Sequence, residues 1–166
     1  WPARSRRSCG LSQYSHSPAS CDSRTMTGVP MGDGAGAAFD RDHTPYDAVG
    51  GEEAVRALVD SFYDIMDADE SFAIIRSMHH DLSSSRDKLF WFLSGWLGGP
   101  PLYVEKKGHP RLRQRHAPFQ IDGVAVKAWL RCMGQAMDAR AIAGDTRDFL
   151  DARFDHLANF MQNSGS

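Results

Sequence analysis

A chain of 166 residues, 42% hydrophobic and 10% aromatic, is long enough to close one apolar core and too apolar to be disordered throughout. From Met26 onward 15 Lys and Arg stand against 20 Asp and Glu, and that acidic balance argues against a general nucleic-acid binder. Three cysteines, Cys9, Cys21 and Cys132, make neither a disulfide framework nor a zinc pattern, so a reducing cytoplasm is the expected setting.

Residues 1–42 are rich in Ser, Gly, Ala and Pro and carry no apolar period. They read as a disordered tail or an extended reading frame, with Met26 or Met31 as candidate starts, ahead of a domain over 43–166. Arg4, Arg6 and Arg7 are not followed by an apolar run of signal-peptide length, and no stretch suits a membrane span, so neither export nor membrane insertion is expected. From Gly51, the residues Val55, Leu58, Val59, Phe62, Ile65 and Met66 fall at helical spacing behind an acidic start, which predicts one helix or two in tandem. Leu89, Phe90, Phe92, Leu93, Trp96 and Leu97 predict a second helix. Ser83, Ser84 and Ser85 supply its N-cap hydroxyls, and Gly98-Gly99-Pro100-Pro101 stops it.

Residues 100–110 hold Pro100, Pro101, Gly108 and Pro110 and read as a long irregular crossing with little helix. After Pro118, Asp122 can cap a helix with Ala125, Trp129, Cys132, Met133, Ala136 and Met137 on one face. Gly144 then breaks the chain, and Asp145 or Thr146 caps a last helix through Leu150, Phe154, Leu157, Ala158 and Met161. No strand alternation competes with these patterns and no repeat is visible. The expected fold is all-α, with four substantial helices and one connection too long for a simple turn. Such a connection is easier to understand if something other than protein occupies the space between the helix pairs.

The stretch PRLRQRHAPF, residues 110–119, sets one histidine among three arginines, two residues ahead of a proline. Pro118 pushes Ala117 out of the α region, so His116 ends a short helical piece. Its ring can point inward with Nδ1–H donating to a carbonyl one turn back, which leaves Nε2 as a neutral ligand of the kind that grips haem iron axially. A buried histidine merely satisfied by hydrogen bonds is the plainer reading of the same residues. No Ser-His-Asp arrangement, phosphate-binding loop or telling carboxylate pair supports a hydrolase or a nucleotide enzyme.

GHPRLRQRHAPF at 108–119, FLSGWLGGPPLYVE at 92–105, FYD at 62–64 and AWLRCM at 128–133 together closely resemble the group II truncated haemoglobins. The matches run in the family's order from PYDAVGG near Tyr46 to FMQN near Met161, over nearly all of the chain beyond the tail. The resemblance implies a two-over-two helical globin sandwich with haem b between the helix pairs and His116 as the proximal iron ligand. It also matches Tyr63 to the distal tyrosine of the second helix and Trp129 to the distal tryptophan of the penultimate one. Without it, both rings read as core aromatics with satisfied polar tips.

Ser85 and Leu89, four apart on one helix face, correspond to positions lining the distal pocket. For Ser85 a hydroxyl bonded to its own backbone is an equal reading. Where the family carries a motif like His-Pro-x-Asp-Leu, this chain has SMHHDL at 77–82, without the proline and one residue short. His79 is the better match for a third distal donor and His80 its rival. Lys88, Tyr103, Arg113 and Arg115 are candidate partners for the haem propionates, since guanidinium forks match carboxylates, and a solvated basic face is the alternative.

The function implied is reversible binding of O2, with NO and CO as further ligands and Tyr63 and Trp129 as hydrogen-bond donors. Paired donors imply tight retention more than bulk transport. A haem-dependent oxidoreductase, acting as an NO dioxygenase or a peroxidase with an electron-donating reductase, is the first alternative, and a haem-free helical sensor the second. The oligomeric state is left open.

Overall fold

The computed structural model describes residues 39–165. The expected tail therefore lies, except for its last four residues, outside the described residues. Within those four, Phe39 packs edge-on against Phe149 with ring centroids 4.6 Å apart.

Among the described residues every regular element is helical: α1 (Pro45–Val49), α2 (Gly51–Ala68), a 3-10 turn (Glu70–Phe72), α3 (Ala73–Arg76), α4 (Leu82–Trp96), α5 (Leu102–Lys107), α6 (Leu112–His116), α7 (Gly123–Ala139) and α8 (Gly144–Met161). The four long helices form two pairs. α2 packs on α4, α7 packs on α8, and α2 against α7 joins the pairs, which is the two-over-two arrangement. The seam is built where each apolar stripe returns every three to four residues: Val55, Leu58, Val59, Phe62 and Met66 of α2 meet Cys132, Met133, Ala136 and Met137 of α7. All nine are 1% exposed or less, and each large apolar side chain buried this fully contributes about 1.5–3 kcal/mol. The Cys132 thiol donates to the Phe62 carbonyl at 3.3 Å across the seam. Among the described residues, no helix is long and apolar enough to cross a membrane.

Four local expectations are corrected. Ala117 is not pushed out of the α region by Pro118: it has φ −55° and ψ −33°. Residues 100–110 are not free of helix: α5 occupies Leu102–Lys107, with Pro101 at its N-cap. A proline costs nothing ahead of the first turn, where no backbone donor is needed, so Pro100 and Pro101 stop one helix and start the next. The cap of α4 is Asp81, whose carboxylate accepts from the Ser84 amide at 3.2 Å, while Ser83, Ser84 and Ser85 lie inside the first turn. The last helix begins at Gly144 itself, in the left-handed region at φ +64°, and neither Asp145 nor Thr146 caps it.

The expected stop at Gly98-Gly99 stands, and its reason is contact as well as flexibility. Gly98 has φ +92°, and a Cβ on Gly99 would sit 2.6 Å from the Tyr46 ring. The Tyr46 amide donates to the Leu97 carbonyl at 2.9 Å, so α1 closes over the end of α4.

Candidate functional site

α6 stands apart from the helix pairs. It has no buried residue, its substantial packing is on α8 alone, and it carries His116 at its last position. The His116 Nδ1 lies 2.9 Å from the Leu112 carbonyl, four residues back. A carbonyl only accepts, so Nδ1 carries a proton, and Nε2 has no hydrogen-bond partner among the described residues. The ring is half-buried, 6.4 Å from that of Phe119.

Across the fold, α2 and the segment after α3 bring a second group together. Tyr63 is 3% exposed, edge-on to the rings of Phe62 at 5.0 Å and His79 at 5.7 Å. Burial pushes its phenol far above the ordinary value, and the Ser85 hydroxyl and the Arg86 charge offset this only in part. The proton therefore stays on the oxygen. Ser85 itself donates to the Asp81 carbonyl at 2.8 Å, the backbone-bonded alternative for this residue, while remaining close to Tyr63.

His79 repeats the anchor of His116: its Nδ1 lies 2.7 Å from the Ile75 carbonyl, again four residues back. Its own carbonyl accepts from Arg76 Nη1 at 2.6 Å. Burial holds the ring below the ordinary histidine value; the Ile75 carbonyl opposes this, and positive charge on His116 and Arg76 adds to it. Of the two rivals, His79 is half-buried against Tyr63 and His80 is exposed.

Trp129, half-buried on α7, lies 5.4 Å from Phe62 and 5.7 Å from Phe154, ring to ring. Leu89 is half-buried on α4 beside Ser85, and Lys88 is exposed next to it. Tyr103 is buried on α5 beneath the Arg115 guanidinium at 5.8 Å, so these two come together. Arg113 does not join them. It lies over Phe160 of α8 at 5.2 Å, because two residues along a helix is a turn of about 200°, onto the opposite side.

Two residues were missed by sequence reasoning. Arg86 of α4 donates to the Asp60 carbonyl at 2.8 Å and to Asp64 Oδ1 at 2.6 Å, with its guanidinium 5.7 Å from the Tyr63 ring centre, so it clamps α4 to α2 above that tyrosine. The signal available was the pair Asp60 and Asp64, spaced i,i+4 on the polar edge of α2. The other is Asn163, beyond the end of α8, visible only within FMQN.

The chemistry of this donor set fits haem. An imidazole with Nδ1 engaged and Nε2 free stands on a helix that buries nothing, and apolar side chains such as Leu89, Phe92, Trp129 and Phe119 remain only half-covered although they pack on the core. Two helix pairs crossed in this way, with such a histidine beside them, define a haem protein of the globin type.

The profile of the bacterial-like globin family matches residues 44–163. A group 2 truncated haemoglobin of Bacillus subtilis is 42% identical over 122 residues, 73% of this chain and 89% of that protein. Two solved structures are similar as well. The group II two-on-two haemoglobin of Agrobacterium tumefaciens is 43% identical, over 74% of this chain and 95% of its own, with a TM-score of 0.70. The truncated oxygen-avid haemoglobin of Bacillus subtilis is 43% identical, over 72% and 99%, with a TM-score of 0.65. The chain belongs to the bacterial-like globin family, as a group II truncated haemoglobin, and haem-based binding of small ligands follows from that membership.

Proposed function

We propose that this globin, with its domain at 43–166, holds haem b through Nε2 of His116 and binds O2 with high retention, NO and CO being its other diatomic ligands. The observation that carries the reading is the Nδ1 bond of His116 to Leu112, which commits the Nδ1 proton and aims Nε2 away from its own helix. When bound, the iron porphyrin supplies an open coordination position for a gas molecule. The chain supplies the rest. Tyr63 keeps its proton at any physiological pH because burial disfavours the phenolate, and the Trp129 indole can only donate. Both suit an electronegative ligand that gains negative charge on binding.

His79 behaves differently. As a neutral ring with its proton on Nδ1, it presents a lone pair, so near neutral pH it accepts a hydrogen bond where the resemblance implied a donor. Tyr103 with Arg115 on one side of α6 is the stronger propionate contact; Lys88 is exposed on α4 and Arg113 lies on the far side of α6. The buried thiol of Cys132, pushed up to about 12 chiefly by burial, stays protonated and takes no part in this chemistry.

Absorption spectra of the ferric, ferrous and CO forms test the reading directly. A Soret band in the purified protein that His116→Gly abolishes, and that added imidazole restores, is expected. Full haem occupancy with unaltered spectra in that variant would overturn it. The oxidoreductase reading is favoured by one observation, the accepting His79 beside the donating Tyr63, which gives the pocket a place to receive a proton. Steady-state consumption of NO or peroxide with a reductase present separates it from simple binding.

A further inference from the structure

α6 fixes the His116 ring through Leu112 but cannot by itself fix the backbone that carries it. α6 is five residues long, against the roughly 12–15 that an isolated helix needs to persist in water, and it buries nothing. Its N-cap, Arg111, is left-handed at φ +45° and makes no side-chain cap bond. Downstream, Ala117, Pro118 and Gln120 are exposed. Within the turn the Phe119 amide donates to the His116 carbonyl at 3.0 Å; the other fixed points come from the far end of the chain.

Asn163 lies just past α8. Its Oδ1 accepts from the Ile121 amide at 2.9 Å, and its Nδ2 donates to the Phe119 carbonyl at 2.9 Å and to the His116 carbonyl at 3.3 Å. The amides of Asn163 and Ser164 both donate to the Ile121 carbonyl, at 3.0 and 3.1 Å. One side-chain amide thus uses its acceptor and both of its donors on three backbone groups spanning the turn from α6 to α7.

We propose that Asn163 is a positioning residue for His116: its carboxamide clamps the backbone at 116, 119 and 121, and so sets the distance and tilt at which Nε2 meets the iron. The proposal rests on His116 being the iron ligand. Because Asn163 is exposed, its bonds are worth little to global stability. What they determine is the path of residues 116–121, and with it the orientation of the imidazole, as outer contacts of a metal-ligating histidine commonly do.

The test uses the full chain loaded with haem, in wild-type, Asn163→Ala and Asn163→Asp forms. The aspartate keeps the acceptor for Ile121 but loses both donors, so it isolates the hold on His116 and Phe119. Both variants are expected to shift or broaden the iron–histidine stretching band of the ferrous protein in resonance Raman spectra. They should also release haem to a scavenger about tenfold faster, with little change in melting temperature. An unmoved band overturns the proposal, whether haem loss is unchanged or only follows a lower melting temperature. Should neither variant fold, amide exchange in the wild type decides: protection at Ile121 supports the clamp, and exchange at the rate of an open loop overturns it. A wild-type band that survives His116→Gly would instead defeat the ligand assignment, and the exchange rate at Ile121 would then judge the clamp alone.

Discussion

Two histidines in this fold share one local device and differ in everything around it. In both, Nδ1 donates to the carbonyl four residues back, at 2.7 Å for His79 and 2.9 Å for His116. In both, the residue's own carbonyl accepts from a distant or flanking side chain, Arg76 for His79 and Asn163 for His116, where it shares the carbonyl with the Phe119 amide. His79 then packs edge-on to a buried tyrosine behind the buried Ile75, whereas His116 ends a helix that buries nothing. The device selects the tautomer, and the surroundings select the use. A ring held within packed protein has its Nε2 fixed against its neighbours; Nε2 on a short helix that packs on α8 alone and buries nothing is left for a group that supplies its own packing.

The largest expected effect separates the two rings outright. His116→Gly should abolish stable haem retention, while His79→Gln should leave the absorption spectrum of the loaded protein close to wild type. If both variants lose haem equally, the two histidines have been assigned unequal roles wrongly. Next comes Tyr63→Phe, which removes a single oxygen from the packed side. The lost bond to a charged ligand is worth about 1.5–3 kcal/mol, roughly 10- to 150-fold in O2 dissociation rate. Stopped-flow displacement of O2 by CO measures it, and an unchanged rate discredits Tyr63 as a donor.

The same contrast explains what was legible in the sequence. α2 and α7 announce themselves because their stripes are core, and a core stripe repeats over four turns. α5 and α3 do not, since four to six residues give no period to count, and the prolines before α5 read as breakers although they also start it. Ala117 keeps α-region angles ahead of Pro118, so His116 was readable through the family motif and not through its proline. Its tether was not: Asn163 acts through a backbone turn 42 residues away in sequence at Ile121, and no local pattern connects them. Arg86 escaped for a related reason, since its partners Asp60 and Asp64 lie on another helix.

Arg76→Met sharpens the packed side at a smaller scale. Arg76 joins Asp67 at 2.7 Å and the His79 carbonyl at 2.6 Å, and the methionine keeps its apolar stem. With one partner half-exposed, a loss of about 1 kcal/mol is expected in denaturant unfolding. A loss far above that would mean the corner carrying His79 depends on this cation more than on packing.

The smallest effect is a dependence on pH that belongs to His79. Burial lowers its value from the ordinary 6.5, so folding favours the neutral ring. Above 6.5 the ring is neutral folded or unfolded and contributes no slope. As pH falls through 6.5 the unfolded chain takes up a proton that the folded ring resists, and stability declines until the lowered folded value is passed, below which the penalty is constant. Arg76 and His116 face the ring and deepen the shift when charged; the Ile75 carbonyl works against it. Unfolding midpoints measured from about pH 7.5 to about pH 5.5 should therefore fall more steeply for the wild type than for His79→Gln, which has nothing to titrate there. Parallel slopes would place the ring in water, and the accepting role proposed for it beside Tyr63 would go with them.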